Sequence, residues 1–521
     1  MTQQQHAHPD GDSVPGSAVD VLGEFFGIDL GDQRLNRRLL SIVEALQRSP
    51  RRGLTEALGD PAKVEGAYRL LENDDVNPED IHCPHRRKTY ARAVQAGSVL
   101  AIHDTTTFQF SGNVVEGLGV VDPSSKGGFY FHMSLLVGPT GEPLGVARGY
   151  AWRRTGTVQG KVNPSQQQYN PDRESLRWHE AVHDVNDEIL RMSFEQSAAV
   201  PDVIHVMDRE ADTIELLADL QEHDSHFVIR AKNNRRLEPG REATDQRLFE
   251  AIAAEPVQLQ RVVQLVRRKV SGTLRGGVSN PKRKAGRKRE EMRSWTETRQ
   301  AQLEIRAKQL RIFASNGGHA HVPEEGLLLS VVHVQETDAP DSVEPVCWYL
   351  VSSLPIESQA DIERIIDIYR QRWLIEEYFK ALKSGCAYED HQFEHASRYL
   401  RMLAIYLPMA FDMLRLRWFA RLQPDAPPTT VLTEPQLAAL TAHQHRKGRP
   451  LAPKPTAGDV FDAIALLGGH LPHNGPPGWQ ILARGMAILN DITEGWLAAM
   501  EWQRHHPPPN ANHPRRIDTR T

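Results

Sequence analysis

The sequence predicts an α/β protein of several domains: a strand-and-helix core that carries a β-rich insertion and has helical regions at both ends. Three observations predict it. Helical apolar spacing runs through 19–95, strand-like segments alternate with helices from 99 onward, and the stretch 235–345 reads as an inserted β-rich unit. A chain of 521 residues also exceeds one ordinary core, so about two to four domains are expected.

Residues 1–18 and 504–521 read as disordered tails, rich in Pro, Asn, His and Gln. Between 19 and 95 the apolar spacing of LNRRLLSIVEALQ (35–47) and EGAYRLLEN (65–73) fits amphipathic helices, and Asn77-Pro78 starts a further short segment. VLAIHDTTTFQF (99–110) opens a β-meander that continues through GGFYFHMSLLVG and EPLGVARGYAWRR, split by Pro139-Thr140-Gly141. SLRWHEAVHDVNDEIL (175–190) is helical. VIHVMD (203–208) is a short buried strand running directly into a helix, and HFVIRAK (226–232) is the next strand. QRVVQLVRRKV, QLEIRAKQLRIFA and LLLSVVHVQE form the inserted β-rich unit, and CWYLVSSLPI (347–356) returns to a buried strand. One long helix is expected over 358–384 and another over 394–420. Residues 421–451 look loop-like, and short helices fill 456–503. The core then spans 96–420, with a C-terminal helical region over 421–503.

No apolar run approaches the ~18 residues that cross a bilayer, and the polar start MTQQQHAHPDGDSVPGS has no signal-peptide core. A cytoplasmic protein is expected. Cys83, Cys347 and Cys386 are scattered, with neither zinc-site spacing nor a disulfide pattern. The net charge of −5 hides an asymmetry: residues 225–311 hold 22 Lys+Arg against 9 Asp+Glu, a balance of +13, which leaves −18 elsewhere. The run PKRKAGRKR (281–289) lies between strand-like segments, as a DNA-facing loop would.

Two aspartates end apolar strand faces. Leu100, Ile102 and Asp104 share one face by period two, and so do Ile204, Val206 and Asp208. Carboxylates drawn together in a core repel, and a divalent cation is their natural partner. Glu210 and Asp212 stand close to Asp208, so its choice rests on strand phase and on the resemblance given below. A third carboxylate lies in the expected helix, where Tyr369, Arg372, Glu376 and Lys383 follow at intervals of three, four and seven. That spacing aligns them along one face. A phosphodiester substrate accounts for the set. Oxygen ligands suit Mg²⁺ or Mn²⁺, a planar arginine fork grips phosphate, and a lysine adds a point charge.

At these residues the sequence resembles the bacterial insertion-sequence-four family of DDE transposases, the group of the transposon-five transposase. The motifs stand here as AIHDTT, VMDREAD and YRQRWLIEEYFKALK, the last with the family's Tyr-x2-Arg-x3-Glu-x6-Lys spacing, and the resemblance covers roughly 20 to 503. It implies a ribonuclease-H-like mixed-sheet catalytic core with a β-rich insertion between the second Asp and the Glu. It also implies a helical DNA-binding domain over 19–95 and a dimerisation region in the C-terminal helices. The catalytic metal ligands would be Asp104, Asp208 and Glu376, holding two Mg²⁺ or Mn²⁺ ions. Trp348, 28 positions before Glu376, matches a tryptophan that stacks on a flipped thymine. Arg230 falls where the family has a DNA-contacting arginine, and Lys232 follows on the same strand face. The resemblance also implies that Arg209 would contact a backbone phosphate and that Tyr369 would sit beside the scissile phosphate and flipped nucleotide. The basic stretch 267–289 is longer than the family leads one to expect. The implied reaction is cut-and-paste transposition through a DNA hairpin, by a homodimer on paired transposon ends that then joins target DNA. The rival readings are a ribonuclease-H-like nuclease without strand transfer and an inactive transposase-derived repressor.

Overall fold

A computed structural model describes residues 21–48, 50–111, 115–121, 127–153, 174–238, 246–265, 269–270, 294–295, 298–314, 322–340 and 344–506. The tail 1–18, residues 507–521 and the basic run 281–289 lie outside the described residues, whereas Arg504 and His505, expected in a disordered tail, continue the last helix. The chain forms two compact units. The first comprises residues 1–173, 180–203 and 373–521, and the second comprises 174–179 and 204–372.

The first unit opens with α1 (Gln33–Arg48), α2 (Leu54–Leu58) and α3 (Pro61–Glu72). Leu39, Ile42, Val43 and Leu46 of α1 recur at helical spacing and are buried. Asp60 caps α3 by accepting from the Lys63 N–H, with Pro61 at the first position. The expected short segment after Asn77 is instead α4 (Pro78–Ala96), 19 residues long. Pro84 in its interior reads as a stop, since it offers no N–H. Eight buried residues along the helix, among them Ile81, His85, Tyr90 and Val94, offset that local cost.

Three antiparallel strands follow: β1 (Ser98–Gln109), β2 (Gly128–Val137) and β3 (Pro143–Trp152), with β2 in the middle. Strand alternation gives β1 two different faces. Val99 and Ala101 pack into a core with Tyr90 and Val94 of α4 and with Val185, Ile189 and Met192 of α5 (Leu176–Glu195). The other face carries Asp104 and Phe108.

In the second unit, β4 (Asp202–Met207) leads through α6 (Ile214–Glu222) to β5 (His226–Arg230), which pairs parallel to it. The sequence reading ran β4 straight into a helix. A turn over 208–213 intervenes, and α6 begins only after Thr213, whose hydroxyl caps it by accepting from Leu216 N–H. After α7 (Leu248–Ala253) come β6 (Leu259–Leu265), β7 (Arg299–Ile312), β8 (Leu327–Glu336) and β9 (Cys347–Ser352). These strands extend one sheet in the order β4-β5-β9-β8-β7-β6, parallel only between β4 and β5. The expected β-rich insertion is therefore continuous with this unit's sheet.

The single long helix expected over 358–384 is broken. α8 (Gln359–Gln371) ends in the second unit, Arg372 is a turn residue, α9 (Trp373–Lys380) begins in the first unit, and a π-helical turn spans Ala381–Gly385. Its widened turn shows in the bond from Cys386 N–H to Ala381 O, 2.8 Å. The four-residue stripe from Tyr369 to Lys383 is thus not one regular helical face. α10 (Ala396–Leu422) is buried along most of its length. The loop-like stretch 421–451 contains α11 (Glu434–Arg446), started by a reciprocal cap between Thr433 and Gln436. After α12 (Ala457–Leu467), the final helix α13 (Trp479–His505) has 27 residues where short helices are expected.

Candidate active site

Each unit presents part of the predicted site. In the first, Asp104 is half-buried on β1, opposite Met133 of β2, and its carboxylate accepts the Thr105 N–H at 2.8 Å. Period two puts Phe108 on the same face. Phe108 packs edge-on against Tyr388 at 4.9 Å, and the Lys383 ammonium lies 5.2 Å from its ring centroid. α9, with half-buried Glu376, packs against β1. Lys383 itself donates to Thr107 O at 2.5 Å, and burial pulls its pKa down against the opposing pull of Glu389. The π-turn therefore brings this lysine to the β1 backbone three residues beyond Asp104.

The neighbouring acid behaves differently. Glu377 is buried and pairs with Lys380 at 2.9 Å and Arg417 at 3.4 Å. Burial raises its pKa, but Arg417, Lys380 and Arg421 outweigh that and hold the carboxyl below its ordinary value.

In the second unit the geometry follows from the strand directions. β4 and β5 are parallel, so Asp208 and Arg230 come at the same end of the sheet. β9 runs antiparallel to β5, with Leu350 opposite Arg230, so the start of β9 reaches that end too. Arg230 donates to Cys347 O at 2.9 Å. Trp348 meets Tyr369 of α8 edge-on, with ring centroids 5.3 Å apart. Tyr369 is buried, and burial raises its hydroxyl pKa. Arg372 and Arg230 oppose the rise, and Asp208 adds to it. Asp208, Arg230, Trp348, Tyr369 and Arg372 thus form one group. Arg209 and Lys232 are exposed beside it.

Asp208 is half-buried, with one oxygen accepting the Glu210 N–H at 2.7 Å. Asp212 is 3% exposed and ion-paired to buried Arg235 at 2.5 Å. Nothing in the local spacing separates these two aspartates, because Arg235 lies 23 residues away. The oxygen-only donors Asp104, Asp208 and Glu376 suit a hard divalent cation. Asp212, paired with buried Arg235, and Glu377, paired with Lys380 and Arg417, do not fit that task.

The sequence reading passed over Trp373. It is 43% exposed at the start of α9, with Lys380 stacked 4.4 Å from its ring centroid. An aromatic wedged between Arg372 and Glu376 in YRQRWLIEEYFKALK is the signal that pointed to it.

Residues 21–76 match the transposase DNA-binding family, and residues 179–407 match the transposase DDE domain family. Among solved structures, a chain from the cryo-electron microscopy structure of a piggyBac transposase synaptic complex with hairpin DNA is similar at 10% identity and a TM-score of 0.35. The similarity covers 94% of this chain and 82% of that one. Among the described residues, no helix is long and apolar enough to cross a membrane.

Proposed function

We propose that this chain, a DDE transposase by the DNA-binding and DDE domains it carries, is a cut-and-paste enzyme of the insertion-sequence-four type acting on DNA in the bacterial nucleoid. The observation that carries the reading is the grouping of Asp208, Arg230, Trp348, Tyr369 and Arg372 at one end of the second unit's sheet. A metal-holding acid, two phosphate-gripping arginines and two aromatics are what strand cleavage with base flipping requires.

In this reading Asp104, Asp208 and Glu376 hold the metal. When bound, two Mg²⁺ or Mn²⁺ ions would supply activation of the attacking oxygen and stabilisation of the leaving one. Arg372 orients the scissile phosphate through its planar fork. Tyr369, near Arg230, lines the phosphate and supports the ring of Trp348. Trp348 offers a stacking platform to a base turned out of the duplex, which relieves a tight hairpin. Arg209, Arg230 and Lys232 contact the DNA backbone. Lys383 anchors the π-turn to β1 and neutralises charge near Asp104.

The reaction is a series of phosphoryl transfers. Water cuts one strand at the transposon end and frees a 3′-OH. That hydroxyl attacks the opposite strand and closes a hairpin, a second water reopens it, and the 3′-OH attacks target DNA. The domain assignment follows the same reading: a DNA-binding region within 19–95, a catalytic domain over 96–420, and dimerisation through 421–503 on paired ends.

The decisive experiment offers the purified protein a duplex carrying the sequences that flank its gene. Asp104→Ala, Asp208→Ala and Glu376→Ala should each bind that duplex and fail to nick it. Normal nicking by any one removes that residue from the triad. Trp348→Ala should lose hairpin formation more than first-strand nicking, and equal loss of both would argue against base stacking.

A further inference from the structure

The geometry points to a latch within the second unit: the buried Asp212–Arg235 pair fastens the turn that carries Asp208 to the strand exit that carries Arg230 and Lys232, and so positions both. The inference rests on the reading of Asp208 as a metal-holding carboxylate.

The bonds are specific. One Asp212 carboxylate oxygen accepts from Arg235 at 2.5 Å. The other accepts the backbone N–H of Lys232 at 2.6 Å and of Asn233 at 2.7 Å. The Asp212 carbonyl accepts from the Asn233 side chain at 2.6 Å and again from Arg235 at 3.0 Å. The latch thus begins where the β5 ladder stops. The Ala231 N–H makes the last sheet bond, to Tyr349 O, and the next two N–H groups both go to Asp212. The direction of the chain just after Arg230 is therefore set by a side chain from the Asp208 turn.

The same turn is short and internally bonded. Asp208 accepts the Glu210 N–H through its side chain and the Ala211 N–H through its carbonyl, and Thr213 starts α6. A shift at Asp212 therefore has little slack to absorb it before reaching Asp208. A simple stabilising ion pair would be replaceable by apolar side chains of similar size. This carboxylate also serves two backbone donors, which no apolar side chain could do. Asp212 and Arg235 are positioning residues. They touch neither substrate nor metal, but hold the group that does.

The test uses the full-length protein with four variants. Asp212→Asn leaves one acceptor oxygen where two serve Arg235 and the Lys232 and Asn233 N–H groups, Arg235→Lys keeps a cation, Asn233→Ala removes one exposed arm, and Asp208→Ala is the control. Three quantities are read: Mn²⁺ binding to the DNA-free protein by calorimetry, the Mn²⁺ concentration for half-maximal nicking of the gene-flanking duplex, and affinity for that duplex in Ca²⁺. Groups that orient metal ligands typically change metal affinity ~10–100-fold. Asp212 acts one bond further out, so Asp212→Asn should raise the Mn²⁺ requirement about tenfold and weaken both Mn²⁺ and DNA binding. Arg235→Lys should fall between it and wild type, and Asn233→Ala closer to wild type. Asp212→Asn with unchanged Mn²⁺ requirement and DNA affinity overturns the latch. Should that variant not fold, unchanged values in both Arg235→Lys and Asn233→Ala overturn it. Normal Mn²⁺ binding and nicking by Asp208→Ala would instead remove the role of Asp208, while a loss of DNA affinity in Asp212→Asn would still show the latch at Lys232.

Discussion

The turn after β4 carries three acids and the helix α9 two, and in both regions one acid is buried beside a cation while another is half-buried. Asp212 is buried and paired with Arg235 while Asp208 is half-buried; Glu377 is buried and paired with Lys380 and Arg417 while Glu376 is half-buried. The means differ. Asp212 takes one arginine and two backbone N–H groups, so it shapes a loop. Glu377 takes side chains alone, Lys380 from its own helix and Arg417 and Arg421 from α10, so it joins two helices. Removing a charge should therefore disturb geometry in the first region and stability in the second. Removing the half-buried acid should act mainly on chemistry.

The largest effect expected is on the chemistry. Loss of a metal-holding carboxylate forfeits several kcal/mol of transition-state stabilisation, about 10³-fold in rate or more. Asp208→Ala and Glu376→Ala should both lose nicking on this scale, with a smaller fall in urea midpoint than Glu377→Ala shows. A midpoint lowered as far as that of Glu377→Ala would place that acid with Glu377 and break the comparison.

Glu377→Ala should act in the opposite sense. It leaves the largely enclosed Arg417 without its carboxylate, and breaking such a pair costs up to about 3–5 kcal/mol. The environment of Arg417 is already unfavourable: burial, with Arg421 adding to it, pushes its pKa down to about 10 against the pull of Glu377. Urea denaturation should show the loss, and Glu377→Ala/Arg417→Met should recover much of it. Failure of the double variant to recover would mean that Glu377 matters to packing and not through its charge.

How much of this could be read from the sequence depends on how local the cause is. The β1 pattern Leu100-Ile102-Asp104 was legible because strand alternation is a two-residue rule. The three strands of the meander and the strand at 226–230 were legible for the same reason. The break at Arg372 and the π-turn at Ala381–Gly385 were not, because Ile375, Phe379 and Leu382 continue a helical apolar rhythm through them. The π-turn is instead imposed from a distance, by Lys383 bonding to Thr107 and by Gly385 lying so close to Met413 that a Cβ would come within 2.7 Å of its methyl. α11 was missed because only Ala439, Leu440 and Gln444 are buried, too few to leave a stripe. The split between Asp208 and Asp212 was invisible for the same reason as the π-turn: its cause is a long-range partner.

A pH effect sharpens the stability side of the comparison. His391 packs beside Tyr388 and hydrogen-bonds Tyr406, and burial drives its pKa down to about 4, with Asp390 opposing weakly. The folded form therefore keeps it neutral while an unfolded histidine titrates near 6.5. The unfolded chain binds the extra proton, so stability is full above about pH 6.5 and falls as pH drops toward 4. Between pH 8 and pH 5 this histidine should cost the fold about 2 kcal/mol. His82 and His85, both lowered chiefly by burial, act in the same direction. Urea titrations at the two pH values should show the loss, and His391→Asn should shrink it. An unchanged pH dependence in that variant would assign the acid sensitivity to other groups, His82, His85 and His333 among them.

The smallest effect separates the latch from ordinary helix capping. Thr213 follows Asp212 directly, and its hydroxyl accepts the Leu216 N–H at 3.3 Å to start α6. Loss of such a cap costs ~1 kcal/mol. Thr213→Ala should therefore lower the urea midpoint slightly, with no change in the Mn²⁺ requirement for nicking. Asp212→Asn, one residue earlier, should raise that requirement whatever it does to the midpoint. The contrast isolates what each side chain does for the turn: Thr213 anchors the helix that follows, whereas Asp212 ties the turn across to β5. If Thr213→Ala raised the Mn²⁺ requirement as much as Asp212→Asn, Asp208 would be held by the whole α6 start, and the Arg235 pair would lose its special place.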